Sequence, residues 1–174
     1  TLDWRFTLDD GSSFASERWR PLRVAAKAFL WSLAIHPPSG RRRYRTSTLV
    51  GEYRKLRVLI KWMAGNGYDR FSRLDRGAGE RFLSVVSQRP GRRGMPVSRS
   101  TLGGYANLLH LLYLQRKRMP DASPGRIVDA KQLRDLRHRS RCPRIGPATP
   151  DDVAIPLVSA AIRLIGRPAE DIID

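Results

Sequence analysis

The residues best suited to chemistry are scattered along this chain. His138, Arg139, Ser140 and Arg141 spell H-x-x-R, a string that recurs in DNA strand-transfer enzymes. Here it falls in a Pro-rich basic stretch with no rigid element to hold it, so it reads as a structural or phosphate-contacting run. Cys142 stands between Arg141 and Pro143-Arg144. Neighbouring cations favour a thiolate, but no base is paired with it, and it reads as an incidental free thiol. Tyr53 and Tyr105 are nucleophiles in principle, yet each sits on an apolar stripe and is expected in the core. Gly77-Ala78-Gly79 lacks the strand–turn–helix setting of a nucleotide loop. Asp9, Asp10, Asp151 and Asp152 stand at turns or helix starts, where capping explains them. His36 and His110 read as packing or surface residues. No catalytic constellation, metal site or cofactor is expected.

What the chain has in quantity is arginine. Its 174 residues hold 33 Lys+Arg against 16 Asp+Glu, a net charge of +17. By stretch, the net charge is +1 over residues 1–40, +12 over 41–100, +7 over 101–145 and −3 over 146–174. A field this one-sided strains a compact fold through self-repulsion unless a polyanion relieves it. Arginine's planar fork pairs two-pronged with phosphate or a guanine edge. Nucleic acid is therefore the expected partner, ahead of an anionic membrane or a merely solvated, compositional excess. A hydrophobic fraction of 41 % supports a real core and argues against a disordered basic tail. One cysteine excludes a disulfide framework and a Cys-rich metal site. No apolar run approaches the ~20 residues that span a bilayer, and no signal peptide is expected.

The elements that must position these cations are helical. Residues 1–13 read as an irregular or short extended arm whose Trp4 and Phe6 need somewhere to pack. A first helix is expected from Phe14 or Trp19 to Ile35, where Leu22, Ala25, Ala26, Phe29, Leu30 and Leu33 recur at threes and fours. Pro21 suits its first turn and Pro37-Pro38 ends it. A loop with Arg41, Arg42, Arg43 and Arg45 leads to a second helix, capped by Ser47 or Thr48 and closed by Gly65-Asn66-Gly67. It buries Tyr53, Leu56, Leu59, Ile60 and Met63. A third helix spans about Arg76 to Gln88, with Asp75 as cap and Phe82, Leu83, Val85 and Val86 as its apolar content. After a basic loop at 89–94, a fourth helix runs from Ser98 or Ser100 to about Arg118. Its Gly103 and Gly104 mark a late start or a close approach to another backbone, because glycine costs ~1 kcal/mol against alanine in a helix interior.

Residues 120–148 read as a Pro/Gly/Arg-rich linker with a helical hint at 130–136. Thr149-Pro150-Asp151-Asp152 then opens a last amphipathic helix, which Pro156 interrupts. The expected organisation is all-α: an arm (1–13), a small four-helix bundle (14–119), a linker (120–148) and one further amphipathic helix (149–174). The second and fourth helices each start directly after an arginine-rich loop. Helix N-termini attract anions, and an α-helix fits the major groove of duplex DNA.

Those two helices also carry a family signature. Ser47-Thr48-Leu49 through Leu56-Arg57-Val58-Leu59-Ile60-Lys61-Trp62-Met63, then Gly67-Tyr68 and Leu74-Asp75, resembles the core-binding, SAM-like domain of phage-integrase-type tyrosine recombinases. So does Ser98-Arg99-Ser100-Thr101-Leu102 leading to Leu108-Leu109-His110-Leu111-Leu112-Tyr113. Residues 148–165, with Thr149-Pro150-Asp151-Asp152-Val153 and Leu157-Val158-Ser159-Ala160-Ala161, are similar to the opening of that family's catalytic domain.

The resemblance implies a four-helix domain that clamps one face of a recombination half-site. Carried over, its contacts to double-stranded DNA around the second helix would be Arg45, Ser47 and Arg54, and the neighbouring cations Arg41, Arg42, Arg43, Arg57 and Lys61 are expected to bind DNA beside them. Around the fourth the contacts would be Arg92, Arg93, Ser98, Arg99 and Thr101. It also implies a parent protein that cleaves DNA by tyrosine attack, through a 3′-phosphotyrosyl intermediate, without metal or ATP, in a tetramer of protomers. The catalytic residues would belong to the catalytic domain; His138 and Arg141 precede its first helix and do not fill its later H-x-x-R role. The chain as given is expected to bind DNA and cut nothing, as a monomer or weak dimer, at the nucleoid in the cytoplasm of a bacterium or as a phage product. Two rivals are a stand-alone helical DNA-binding regulator and an RNA-binding or protein-bridging basic module.

Overall fold

The computed structural model describes residues 2–40, 43–90 and 97–140, with side chains through residue 136 in the last helix, and residues 155, 156 and 159. The chain divides into two compact units, Thr1–Arg141 and Cys142–Asp174. The first is an all-α bundle of five helices, and no strand occurs among the described residues.

The N-terminal arm turns back on itself and enters the core. Gly11, at φ +79°, makes the turn, Thr7 and Ser13 form an isolated antiparallel bridge, and the Phe14 N–H donates to the Phe6 carbonyl at 2.9 Å. Asp10 accepts from both the N–H and the hydroxyl of Ser12, and with Arg18 nearby its carboxyl is held below the usual carboxylate range. Phe6, Leu8 and Phe14 are buried, and Trp4 meets the edge of Tyr53 at 5.1 Å between ring centroids. This answers where the arm's aromatic residues pack.

A 3-10 turn at Glu17–Trp19 leads into α1, Arg20–Ile35, with Pro21 in its first turn and the expected apolar positions buried. α2 spans Thr46–Gly65. Its start corrects the sequence reading: Arg45, in extended backbone, holds the cap position without a side-chain cap, while Ser47 and Thr48 lie inside the helix. The Leu49 N–H bonds to the Arg45 carbonyl at 3.1 Å, which starts the helix two or three residues earlier than a Ser47 or Thr48 cap would. Its end is as expected: Gly67 at φ +75° lets the Tyr68 N–H return to the Met63 carbonyl at 2.8 Å.

α3, Arg76–Gln88, is capped by Asp75, whose Oδ1 accepts from the Ala78 N–H at 2.6 Å. Its Val85 faces outward while Phe82, Leu83 and Val86 are buried. α4, Arg99–Leu114, begins at its Ser98 cap and passes into a 3-10 turn at Arg116–Arg118. Gly103 and Gly104 thus lie within the helix; a Cβ on Gly104 would stand 3.7 Å from Cδ of Lys55 on α2.

The packed unit does not stop at residue 119. Asp121 accepts from the backbone N–H groups of Phe71 and Ser72, and the Ser123 hydroxyl donates to the Leu74 carbonyl at 2.6 Å. Ile127, Val128 and Leu133 join the core, and α5, Ala130–Ser140, packs along α4. The helical hint at 130–136 marked a real helix, and His138 stands in its last turn rather than in a loop. Of the last amphipathic helix, Ile155, Pro156 and Ser159 are helical; the remainder, with Cys142 and Arg141, lies outside the described residues.

The tightest constraint lies where the 120–129 segment crosses α3. A Cβ on Gly79 would come 2.2 Å from the Ile127 carbonyl oxygen and 2.7 Å from its Cγ2. Backbone there cannot yield as a flexible side chain can. Gly79→Ala should therefore cost about 1–3 kcal/mol in chemical denaturation, by forcing the segment off α3. Gly51→Ala, on α2 with open space around the new Cβ, should instead gain up to about 1 kcal/mol. Equal effects at the two positions would contradict the close approach.

Candidate nucleic-acid interface

Ser47, Arg54 and Lys61 recur at sevens and so share one stripe of α2. The stripe is not uniform. Ser47 and Arg54 are exposed, whereas Lys61 is half-buried and reaches Asp9 of the arm at 3.8 Å. Arg57 is also turned to the arm, its guanidinium 4.6 Å from the Phe6 ring centroid and 5.8 Å from that of Tyr53. Arg57 and Lys61 in the second half of α2 therefore have the arm as a partner, and Arg54 in its first half faces outward. Arg43 and Arg45, ahead of the helix, are both exposed.

At the other helix start, the Ser98 hydroxyl accepts from the Thr101 N–H at 3.2 Å and lies 2.9 Å from the Thr101 hydroxyl. The two candidate hydroxyls thus engage each other, and Arg99 beside them is exposed. Arg41, Arg42, Arg92 and Arg93 lie outside the described residues.

One junction ties the two helices together, and it carries a cation that sequence reasoning passed over. Lys55 rests against Gly104, about one turn beyond Thr101, and its Nζ lies 2.6 Å from Oε1 of Glu52. Glu52 is only 6 % exposed, and its Oε2 has no hydrogen-bond partner. The available signals were the i,i+3 spacing of Glu52 and Lys55 and the paired glycines on α4.

Elsewhere among the described residues, several acids are engaged. Asp69 pairs with Arg73 at 3.1 Å, Glu80 with Arg76 at 3.0 Å, and Asp75 caps α3. Arg76 also reaches Asp129 at 3.0 Å, joining α3 to the start of α5. Arg43, Arg45, Arg54 and Arg99 have no acidic partner among the described residues. Each of these exposed guanidinium groups can hold an anionic group.

The candidate nucleophiles are built into the core instead. Tyr53 is buried and donates its hydroxyl to the Asp3 carbonyl, while burial pushes its phenol pKa up against the opposing pull of Arg57. Burial raises the Tyr105 phenol in the same way, and its ring meets Phe82 edge-on at 5.8 Å. Among the described residues, no group of three His, Cys, Asp or Glu is placed to hold a metal ion.

The chain matches no family model, no curated protein and no solved structure. Removing Lys55 leaves a buried carboxylate without its cation. Lys55→Ala should cost about 1–3 kcal/mol by urea denaturation, and adding Glu52→Ala should recover part of that loss. A double variant whose loss equals the sum of the single losses would show that the pair is not coupled.

Proposed function

We propose that this chain binds duplex DNA through the arginine-lined start of α2 and the start of α4. The observation that carries the reading is that Arg43, Arg45, Arg54 and Arg99 stand exposed, without an acidic partner among the described residues, in the stretch whose net charge is +12. Four like charges on a folded surface raise its potential, and a phosphate backbone lowers it while releasing counterions. α2 supports the same reading: its first turn has no side-chain cap and no acidic residue, so its free N–H groups favour an anion.

The finer form of the proposal follows the resemblance. On it, the bundle is a SAM-like core-binding domain, and the chain is the non-catalytic N-terminal part of a tyrosine site-specific recombinase acting at the nucleoid of a bacterium or phage host. Strand cleavage through a phosphotyrosyl intermediate would belong to a catalytic part carrying an R…H-x-x-R…Y set. A reading frame that continues past Asp174 into such a set is the expected finding for this finer form.

Single substitutions test the contacts. Arg45→Ala and Arg54→Ala should each lower the slope of log affinity against log salt by about 0.9, one phosphate contact apiece. Arg57→Ala should act chiefly on stability, through its lost packing on Phe6 and Tyr53. Fluorescence anisotropy with a fixed duplex and thermal melting separate the two effects. Unchanged slopes for both Arg45→Ala and Arg54→Ala would remove these residues from the interface.

A further inference from the structure

α4 is the central rod of the bundle. Its buried residues Gly103, Ala106, Leu108, Leu109, Leu111 and Leu112 fall on every side of the helix. Its fully exposed neighbours lie beyond its two ends, about 24 Å apart along the axis. The start carries Ser98, Arg99 and Thr101. The far end carries cations that the proposed interface does not use: Arg116, Lys117, Arg118 and, from the segment beyond, Arg126.

These cations are ordered around Tyr113. The guanidinium carbon of Arg116 lies 4.0 Å from the centroid of the Tyr113 ring and that of Arg126 lies 5.7 Å from it. The two guanidinium groups therefore stand no more than about 10 Å apart. Arg116 also donates to the Tyr113 carbonyl at 2.9 Å, as a cation at a helix C-terminus does. That attraction does not explain Arg126, which comes from outside the helix onto the same ring. Its segment is pinned, because Asp121 accepts from the Phe71 and Ser72 N–H groups and the Ser123 hydroxyl meets the Leu74 and Gly125 carbonyls. The nearest acids in sequence, Asp121 and Asp129, are thus committed to the Phe71 turn and to Arg76. Arg116, Lys117, Arg118 and Arg126 have no acidic partner among the described residues.

We infer that this end of α4 is a second phosphodiester-binding surface, which takes a duplex segment separate from the one at the starts of α2 and α4, so that one chain bridges two duplexes. The bridging rests on the duplex-binding reading above; the second surface rests on its own residues. Two guanidinium groups held this close without a carboxylate repel, and a phosphate beside them replaces that repulsion with charge-assisted hydrogen bonds. The ring and the pinned segment order them beforehand, so little side-chain entropy is lost on binding. Both guanidinium groups lie against the Tyr113 ring, so the cluster presents charge rather than a free aromatic face. That suits the outer backbone of a duplex and not the stacked bases of a single strand. A duplex laid across the start of α4 leaves the far end open to another.

Sedimentation velocity of the full chain at low salt, with a duplex of about 12 base pairs in excess, counts the duplexes held per chain. The expected count is two. Arg116→Ala combined with Arg126→Ala should reduce it to one, while the affinity for that one, read by anisotropy, stays within about twofold of the parent. Arg116 packs on Tyr113, so a second variant guards against a folding defect. Lys117→Ala combined with Arg118→Ala changes only exposed side chains, and should weaken the second duplex by about tenfold with circular dichroism and melting unchanged. One duplex per chain at every ratio overturns the inference. So do two duplexes that survive both far-end variants, or far-end variants that weaken both duplexes alike, which would mean one continuous surface. If the far-end variants remove a duplex and Arg45→Ala combined with Arg54→Ala weakens neither, the earlier reading of the helix starts fails and this surface stands.

Discussion

Sixteen carboxylates must serve thirty-three cations in this chain, and where the carboxylates go decides what the surface can do. Among the described residues, the structure places many of them at joints. Asp10 closes the arm's turn, Asp9 draws Lys61 to the arm, Asp75 starts α3, Asp121 holds the 120s segment to the turn before α3, and Asp129 with Glu80 anchors α5 through Arg76. Each contact is worth little at the surface, but a hydrogen bond from backbone N–H to carboxylate fixes where an element begins. With these acids at the joints, Arg43, Arg45, Arg54 and Arg99 face outward without an acidic partner among the described residues. The electrostatic strain of the fold and the proposed affinity for a polyanion then have one origin.

The helices were legible wherever a stripe of apolar residues met a strong terminator. α3 was readable from Asp75 and its apolar run, and the end of α2 from Gly65-Asn66-Gly67, because these signals are local. The start of α2 was misread because Arg45 caps it by backbone geometry alone, which no side-chain rule reports. The 120s segment was read as a linker because its Pro, Gly and Arg content looks loop-like. Its attachment depends on contacts some fifty residues away, Asp121 to Phe71 and Ser123 to Leu74. Gly79 is the trace of that attachment in the sequence, yet its meaning appears only once Ile127 lies against it. The same holds for the candidate site: the exposure of Arg45 and Arg54 followed from pattern, whereas the diversion of Arg57 and Lys61 to the arm and the role of Lys55 did not.

Three kinds of surface thus emerge from one bundle. The inner seam of α1 and its counterparts on α2, α3 and α4 make the core. The start of α2 and the start of α4 present arginine. Val24, Trp31 and Ile35, on the outward face of α1, present exposed apolar side chains.

The most direct measurement is fluorescence anisotropy of this chain on a duplex of about 30 base pairs, its single strand and a matched RNA duplex, each across a salt series. The account expects a preference for duplex DNA, with affinity falling steeply and linearly in log salt. Equal, shallow binding to all three would contradict it, leaving charge without a docking surface.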